Sequence, residues 1–199
     1  MKRKRVIGLV MAVGMFTLLG TACGTGSTSN NSALTNIGKT TPPSDTGDQV
    51  VTGGDLAFMN DAGPGSMAEV ELGRLAVKQA ASSDVKQFAQ KMIEDHSKAV
   101  DELKQLAGRK KVNLPPDVTP KHKEVMEKLS KLQRADFDRE YVKEMVAAHE
   151  KDVAAFTGVS QNATDADVKA FAAKTLPTLQ MHLQMIRDMA GKMGISAAP

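Results

Sequence analysis

Residues 137–156 read FDREYVKEMVAAHEKDVAAF. Within them Phe137, Tyr141, Met145, Ala148, His149, Asp152 and Phe156 recur at spacings of three and four, which puts them on one face of a 3.6-residue helix. That face is apolar apart from a histidine and an aspartate, so the pattern predicts a core helix with His149 turned inward. A buried imidazole is costly without a partner, and the rest of the chain is read for what it meets.

Two further stretches share the arrangement. Residues 84–107 carry a stripe of Val85, Phe88, Ala89, Met92, Ile93, His96, Val100, Leu103 and Ala107, with Ser83 as the expected N-cap, Gly108 as terminator and basic residues at 109–111 suiting a helix end. Residues 165–190 carry Val168, Phe171, Ala172, Thr175, Leu179, His182, Ile186 and Met189, with Thr164 expected as N-cap, Asp167 in the capping-box position and a kink expected at Pro177. An earlier helix is expected over 66–81, after the Gly-Pro-Gly at 63–65, with Glu69, Gly73, Ala76 and Ala80 forming a narrow small-residue face. A shorter one is expected over 120–132, after a loop containing Pro115 and Pro116, and His122 in its first turn reads as solvated.

Residues 84–91, DVKQFAQK, are echoed by residues 167–174, DVKAFAAK, identical at six of eight positions. Each opens the second helix of a pair. The folded part, residues 56–199, is therefore expected to be all-α: two helical hairpins joined by a crossover that holds the short helix, the build of a ferritin-like four-helix bundle.

Ahead of it, residues 1–22 have the form of an export signal: basic residues at 2–5, an apolar run at 6–19 and small residues before Cys23. LLGTAC at 18–23 resembles the lipobox of bacterial lipoproteins, although Gly20 stands where leucine is favoured. The expectation is a lipidated Cys23 anchoring the protein to a membrane, against an ordinary secreted chain with a free thiol. Gly24 after the cysteine favours outer-membrane sorting on the periplasmic side of a two-membrane envelope. Residues 23–55 then form the anchor and a flexible tether rich in Gly, Ser, Thr and Asn. Cys23 is the single cysteine, so no intramolecular disulfide forms.

Charge points away from nucleic acid. The chain has 26 Lys plus Arg against 23 Asp plus Glu; without the four basic residues at 2–5 the balance is 22 against 23. The basic character belongs to the signal and not to the domain.

Counted from their helix starts, His96, His149 and His182 lie roughly 18, 21 and 25 Å along, so all three can share one mid-bundle layer, with Glu69 joining from the first helix. Three imidazoles and a carboxylate are suitable ligands for one zinc, iron or copper ion. Tyr141 and Asp152 stand where they could support them. The same residues also allow a buried polar network with no ligand. The Glu-x-x-His motif of di-iron bundles is absent, since Ile93, Val146 and Leu179 precede the histidines by three. Met181, Met185, Met189 and Met193 recur every four residues, which suits either soft-metal binding or adaptable packing. No phosphate loop, nucleophile elbow or zinc-protease helix is present, so no catalytic residue is assigned and no motif supports an enzyme.

AEVELGRLA at 68–76, residues 84–107, residues 137–156 and FAAKTLPTLQMHL at 171–183 together resemble a bacterial ferritin-like family of unknown function, often labelled predicted outer membrane protein. The resemblance implies an exported four-helix bundle and draws attention to Glu69, His96, Tyr141, His149 and His182. It implies no settled activity. Two functions stay open: a membrane-anchored binding or stress-related module holding a metal ion, and a structural or partner-binding bundle.

Overall fold

The structure, a computed structural model, describes residues 50–195. The signal, Cys23 and all but the end of the tether lie outside the described residues. Five helices follow in order: α1 (Gly53–Gln79), α2 (Ser83–Arg109), α3 (Pro120–Ser130), α4 (Arg134–Asn162) and α5 (Ala166–Lys192). Among the described residues there is no strand, and no helix is long and apolar enough to cross a membrane.

α1 packs along α2 and α4 along α5, and the two hairpins meet through α1 with α4 and α2 with α5. α3 lies in the crossover against α1 and α4, which completes a ferritin-like four-helix bundle built from two hairpins. Gly73 sits at a close approach of α1 and α2: a Cβ there would stand 2.9 Å from Ile93 Cγ1 and 3.0 Å from the Ala89 carbonyl oxygen. The small-residue face read from the sequence serves that approach.

Several boundaries differ from expectation. α1 begins at Gly53 and not near residue 66, running through Pro64 without a break. The Gly-Pro-Gly reads as punctuation, yet Phe58, Met59, Gly63 and Pro64 are buried, and their packing outweighs one lost amide hydrogen bond. α4 runs to Asn162, beyond the turn expected at 159. α2 is capped by Ser82, whose hydroxyl accepts from the Val85 amide, and α5 by Asp165, whose carboxylate accepts from the amides of Asp167 and Val168, in place of Ser83 and Thr164. α5 is continuous through Pro177.

Two carboxylates tie the hairpins end to end. Asp138, early in α4, accepts from the amides of Ala81 (3.1 Å) and Ser82 (2.8 Å) in the α1–α2 turn. Asp55, early in α1, accepts from the amides of Thr164 (2.9 Å) and Asp165 (2.8 Å) in the α4–α5 turn.

The core is divided. One apolar cluster gathers Val85, Phe88, Met92, Phe137, Tyr141, Met145 and Ile186; the other gathers Phe58, Met59, Leu103, Phe156, Phe171 and Leu179. Full burial of each large side chain contributes about 1.5–3 kcal/mol. Along α2, α4 and α5 the histidines fall between the two clusters, so the core is interrupted by a polar layer at mid-height.

Candidate metal centre

The periodicity that makes α2, α4 and α5 amphipathic also aims their histidines at one another. His149 and His182 are fully buried and His96 is 3% exposed. Ring centroids lie 5.6 Å apart for His96 and His149, 5.4 Å for His96 and His182, and 5.5 Å for His149 and His182, with Phe88 edge-on to the latter two as a lid from the first apolar cluster.

Each imidazole has one nitrogen held from behind. His149 Nδ1 lies 3.0 Å from the carbonyl oxygen of Met145, one turn back on α4. A carbonyl only accepts, so Nδ1 carries the proton and Nε2 keeps its lone pair. His182 Nε2 lies 2.8 Å from Asp95 Oδ2, itself 3.1 Å from Lys91 Nζ, which places the donor proton on Nε2 and leaves Nδ1 as the lone pair. His96 Nδ1 lies 2.9 Å from Glu69 Oε2, an ion-pair contact whose angles depart from an aligned hydrogen bond. Glu69 Oε1 is 3.5 Å from His149 Nδ1.

The remaining nitrogens, His96 Nε2, His149 Nε2 and His182 Nδ1, are buried with no hydrogen-bond partner. The three histidines each offer a nitrogen within 4.8 Å of the others. An ion bonded at about 2.0–2.1 Å needs donor nitrogens about 3.3–3.6 Å apart, so the rings must close by roughly an ångström to grip one.

Electrostatics favour the donor state. Burial lowers His149 against the pull of Glu69, and lowers His182 to about 4 despite its bond to Asp95, so both are neutral at physiological pH. Burial would likewise lower His96, but the Glu69 carboxylate outweighs it and holds the ring up. Glu69 is the reciprocal case: burial pushes it up, and His96, with His149 and His182 beyond, brings it down to about 2. The Glu69 carboxylate thus favours a proton on His96, whereas burial keeps the other two rings neutral, and any proton on His96 Nε2 must leave before that nitrogen can bind a cation.

The four residues singled out for metal binding are brought together. Glu69 stands on the Nδ1 side of His96 and His149, behind the rings. Asp152 is half-buried nearby, raised to about 7 by burial and by the Glu69 charge. Tyr141 is fully buried, stacked on Phe137 at 5.7 Å, and its hydroxyl has no partner. Burial and the Glu69 charge raise it further, so it stays neutral. Asp95 joins the site as well: a rotation of 100° from its neighbour His96 turns it toward α5, where it meets His182. His122, read as solvated, is half-buried, and its Nδ1 accepts from the Thr119 amide at 3.4 Å while Thr119 Oγ1 accepts from the His122 amide. Met181 and Met185 are exposed and Met189 and Met193 pack on the first cluster, so the methionine row lies apart from the layer.

Comparison with solved structures returns bundles of the same shape at low identity. A DUF305 fragment from Deinococcus radiodurans superposes with a TM-score of 0.63 at 14% identity, over 72% of this chain and 99% of that one. A DUF305 protein from Streptomyces coelicolor gives 0.63 at 14%, over 73% and 96%. CopM in the Cu(II)-bound form gives 0.60 at 16%, over 70% and 97%. At these identities the likeness is one of fold. No curated protein matches the sequence. Residues 40–189, which hold all five helices but the last three residues of α5, match the domain of unknown function DUF4142, and the chain belongs to that family.

Proposed function

We propose that the bundle binds a single transition-metal ion through His96, His149 and His182, and that the protein works in the cell envelope as a metal-holding module. The observation that carries this is the convergence of three buried imidazoles, each with one partnerless nitrogen and the other oriented from behind. Metal-bound histidines are held in this way, by a carbonyl or carboxylate on the second nitrogen. Three nitrogen donors suit zinc, copper or iron, with copper favoured by the fold shared with a protein solved in Cu(II), Cu(I) and silver forms. Glu69 takes the orienting role on His96, with coordination as a fourth ligand the variant to be tested. Export and a lipid anchor at Cys23 would put the centre where envelope metal ions pass.

The competing reading is a polar layer with no ligand, favoured by the Glu69–His96 and Asp95–His182 pairs, which already partner one side of two rings. Elemental analysis of tag-free protein, followed by titration with zinc, copper and iron, separates the two. A bound equivalent that raises the melting temperature in wild type and not in His149→Ala supports the centre; no copurifying metal and unchanged melting in both sinks it. For the anchor, Cys23→Ser should release the protein from membranes, and unaltered membrane association would overturn that part.

A further inference from the structure

We propose that the groove between α1, α3 and α4 is an outer capture site and entry route for the metal ion, with Glu69 at its inner end between the groove and the imidazole rings; this rests on the metal-centre reading. The histidines are at most 3% exposed, so an ion needs a path to them. The groove has a volume of about 470 Å³, in the range of small-ligand sites. None of the three histidines lines it, but Glu69 does. Only 4% exposed, Glu69 reaches the groove on one side and His96 and His149 on the other, and neither of its oxygens has an aligned hydrogen-bond donor.

The lining suits a cation losing its water. Carboxyl groups of Asp61, Glu144 and Asp152 join Glu69 and the His122 imidazole, against two lysines, Lys121 and Lys151. Asp61 is exposed at the rim, Asp152 half-buried and Glu69 buried, so the carboxylates step inward. Lys128, 3.3 Å from Glu144, partly offsets that member. A second cavity beside the layer, lined by Asp95, His96 and Asp152, holds about 20 Å³, the room of a single water and too little for a hydrated ion. α3 forms one wall, fixed there by Leu129, which is buried in the first apolar cluster, and by Val125 and Met126 packed against that cluster.

Stopped-flow mixing of full-length apo protein with Cu(II), followed through the fluorescence of Tyr141, tests this, because the chain has one tyrosine and no tryptophan. Ala148→Phe, which fills the groove from α4, should slow uptake about tenfold or more and slow release to match, leaving the equilibrium affinity unchanged. Asp61→Asn, which keeps shape and removes rim charge, should slow uptake several-fold, and Lys151→Gln should speed it. Lys98→Leu, on the exposed face of α2, should load at the wild-type rate. Circular dichroism checks the fold of Ala148→Phe; if it fails, Asp61→Asn and Lys151→Gln decide. Wild-type uptake rates in the groove variants, with copper still bound, overturn the groove and leave the centre standing. Absence of copper uptake by wild type overturns the centre and the groove together.

Discussion

Asp55 and Asp138 are the same device used twice. They stand 83 positions apart, as do the two copies of the DVK-x-FA-x-K echo, and each accepts two consecutive amides from the turn of the opposite hairpin. The same 83 positions separate Glu69 from Asp152. The two clamps lie at opposite ends of the bundle, because α1 and α4 run antiparallel.

Removing either clamp strands two amides in a partly buried turn. Asp138→Ala and Asp55→Ala should each cost about 2–4 kcal/mol, from two charge-assisted hydrogen bonds. Being far apart they should add, so the double variant should lose the sum in urea unfolding. A double variant no less stable than the worse single one would show that the ends are coupled.

Glu69→Gln separates an orienting carboxylate from a ligand. If Glu69 only positions His96, the variant should keep one equivalent of metal with affinity reduced about 10–100-fold. Its Cu(II) absorption spectrum should keep the wild-type shape. A changed spectrum would place Glu69 in the coordination sphere. Asp95→Asn should act on His182 in the same way and leave stoichiometry intact, whereas His182→Ala should abolish tight binding.

Lys110 is buried at the start of the crossover, 2.9 Å from Asp165 Oδ2 and 2.8 Å from Asp167 Oδ2. Burial would raise Asp165, but Lys110 and the two capped amides pull it below its ordinary value of 3.8. Burial would lower Lys110, but the two carboxylates raise it above 10.5. A lowered acid contributes stability above its unfolded pKa and loses it as pH falls through the folded one; a raised base contributes below its unfolded pKa and loses it as pH rises through the folded one. The melting-temperature gap between wild type and Lys110→Met should therefore be widest from about pH 5 to 9 and should narrow below about pH 4. A gap independent of pH would mean that the lysine acts through packing alone.

Gly73→Ala tests the α1–α2 approach. Alanine is the better helix former by about 1 kcal/mol, yet its methyl would press on Ile93 and the Ala89 carbonyl. The clash should win, with a net loss of about 1–3 kcal/mol in thermal or denaturant unfolding. A stabilised variant would show that the helices can part at little cost.

Most of the fold was legible because the stripes of α2, α4 and α5 are long and regular. Val85, Phe88, Met92, Leu103, Phe137, Met145, Val168 and Ile186 all lie where three-and-four spacing puts them. The three histidines were legible by the same rule. The first half of α1 was not, because Pro64 between two glycines signals a boundary and only the packing of Phe58 and Met59 overrides it. Asp55, Asp138 and Asp95 were missed for a common reason. Each finds its partner on an element distant in sequence, and Asp55 stands in a stretch that reads as tether, so local pattern carries no trace of the contact.

The polar layer between two apolar clusters also settles register. A bundle with one continuous greasy core could slide a helix by a turn, about 5.4 Å, and still bury hydrocarbon against hydrocarbon. Here such a slip of α5 would push His182 in among Phe88 and Met145, or toward Leu103 and Phe156, and break its bond to Asp95. Alignment of the four helices and assembly of the histidine layer are thus one event, and a chain that has packed correctly has already gathered its three imidazoles.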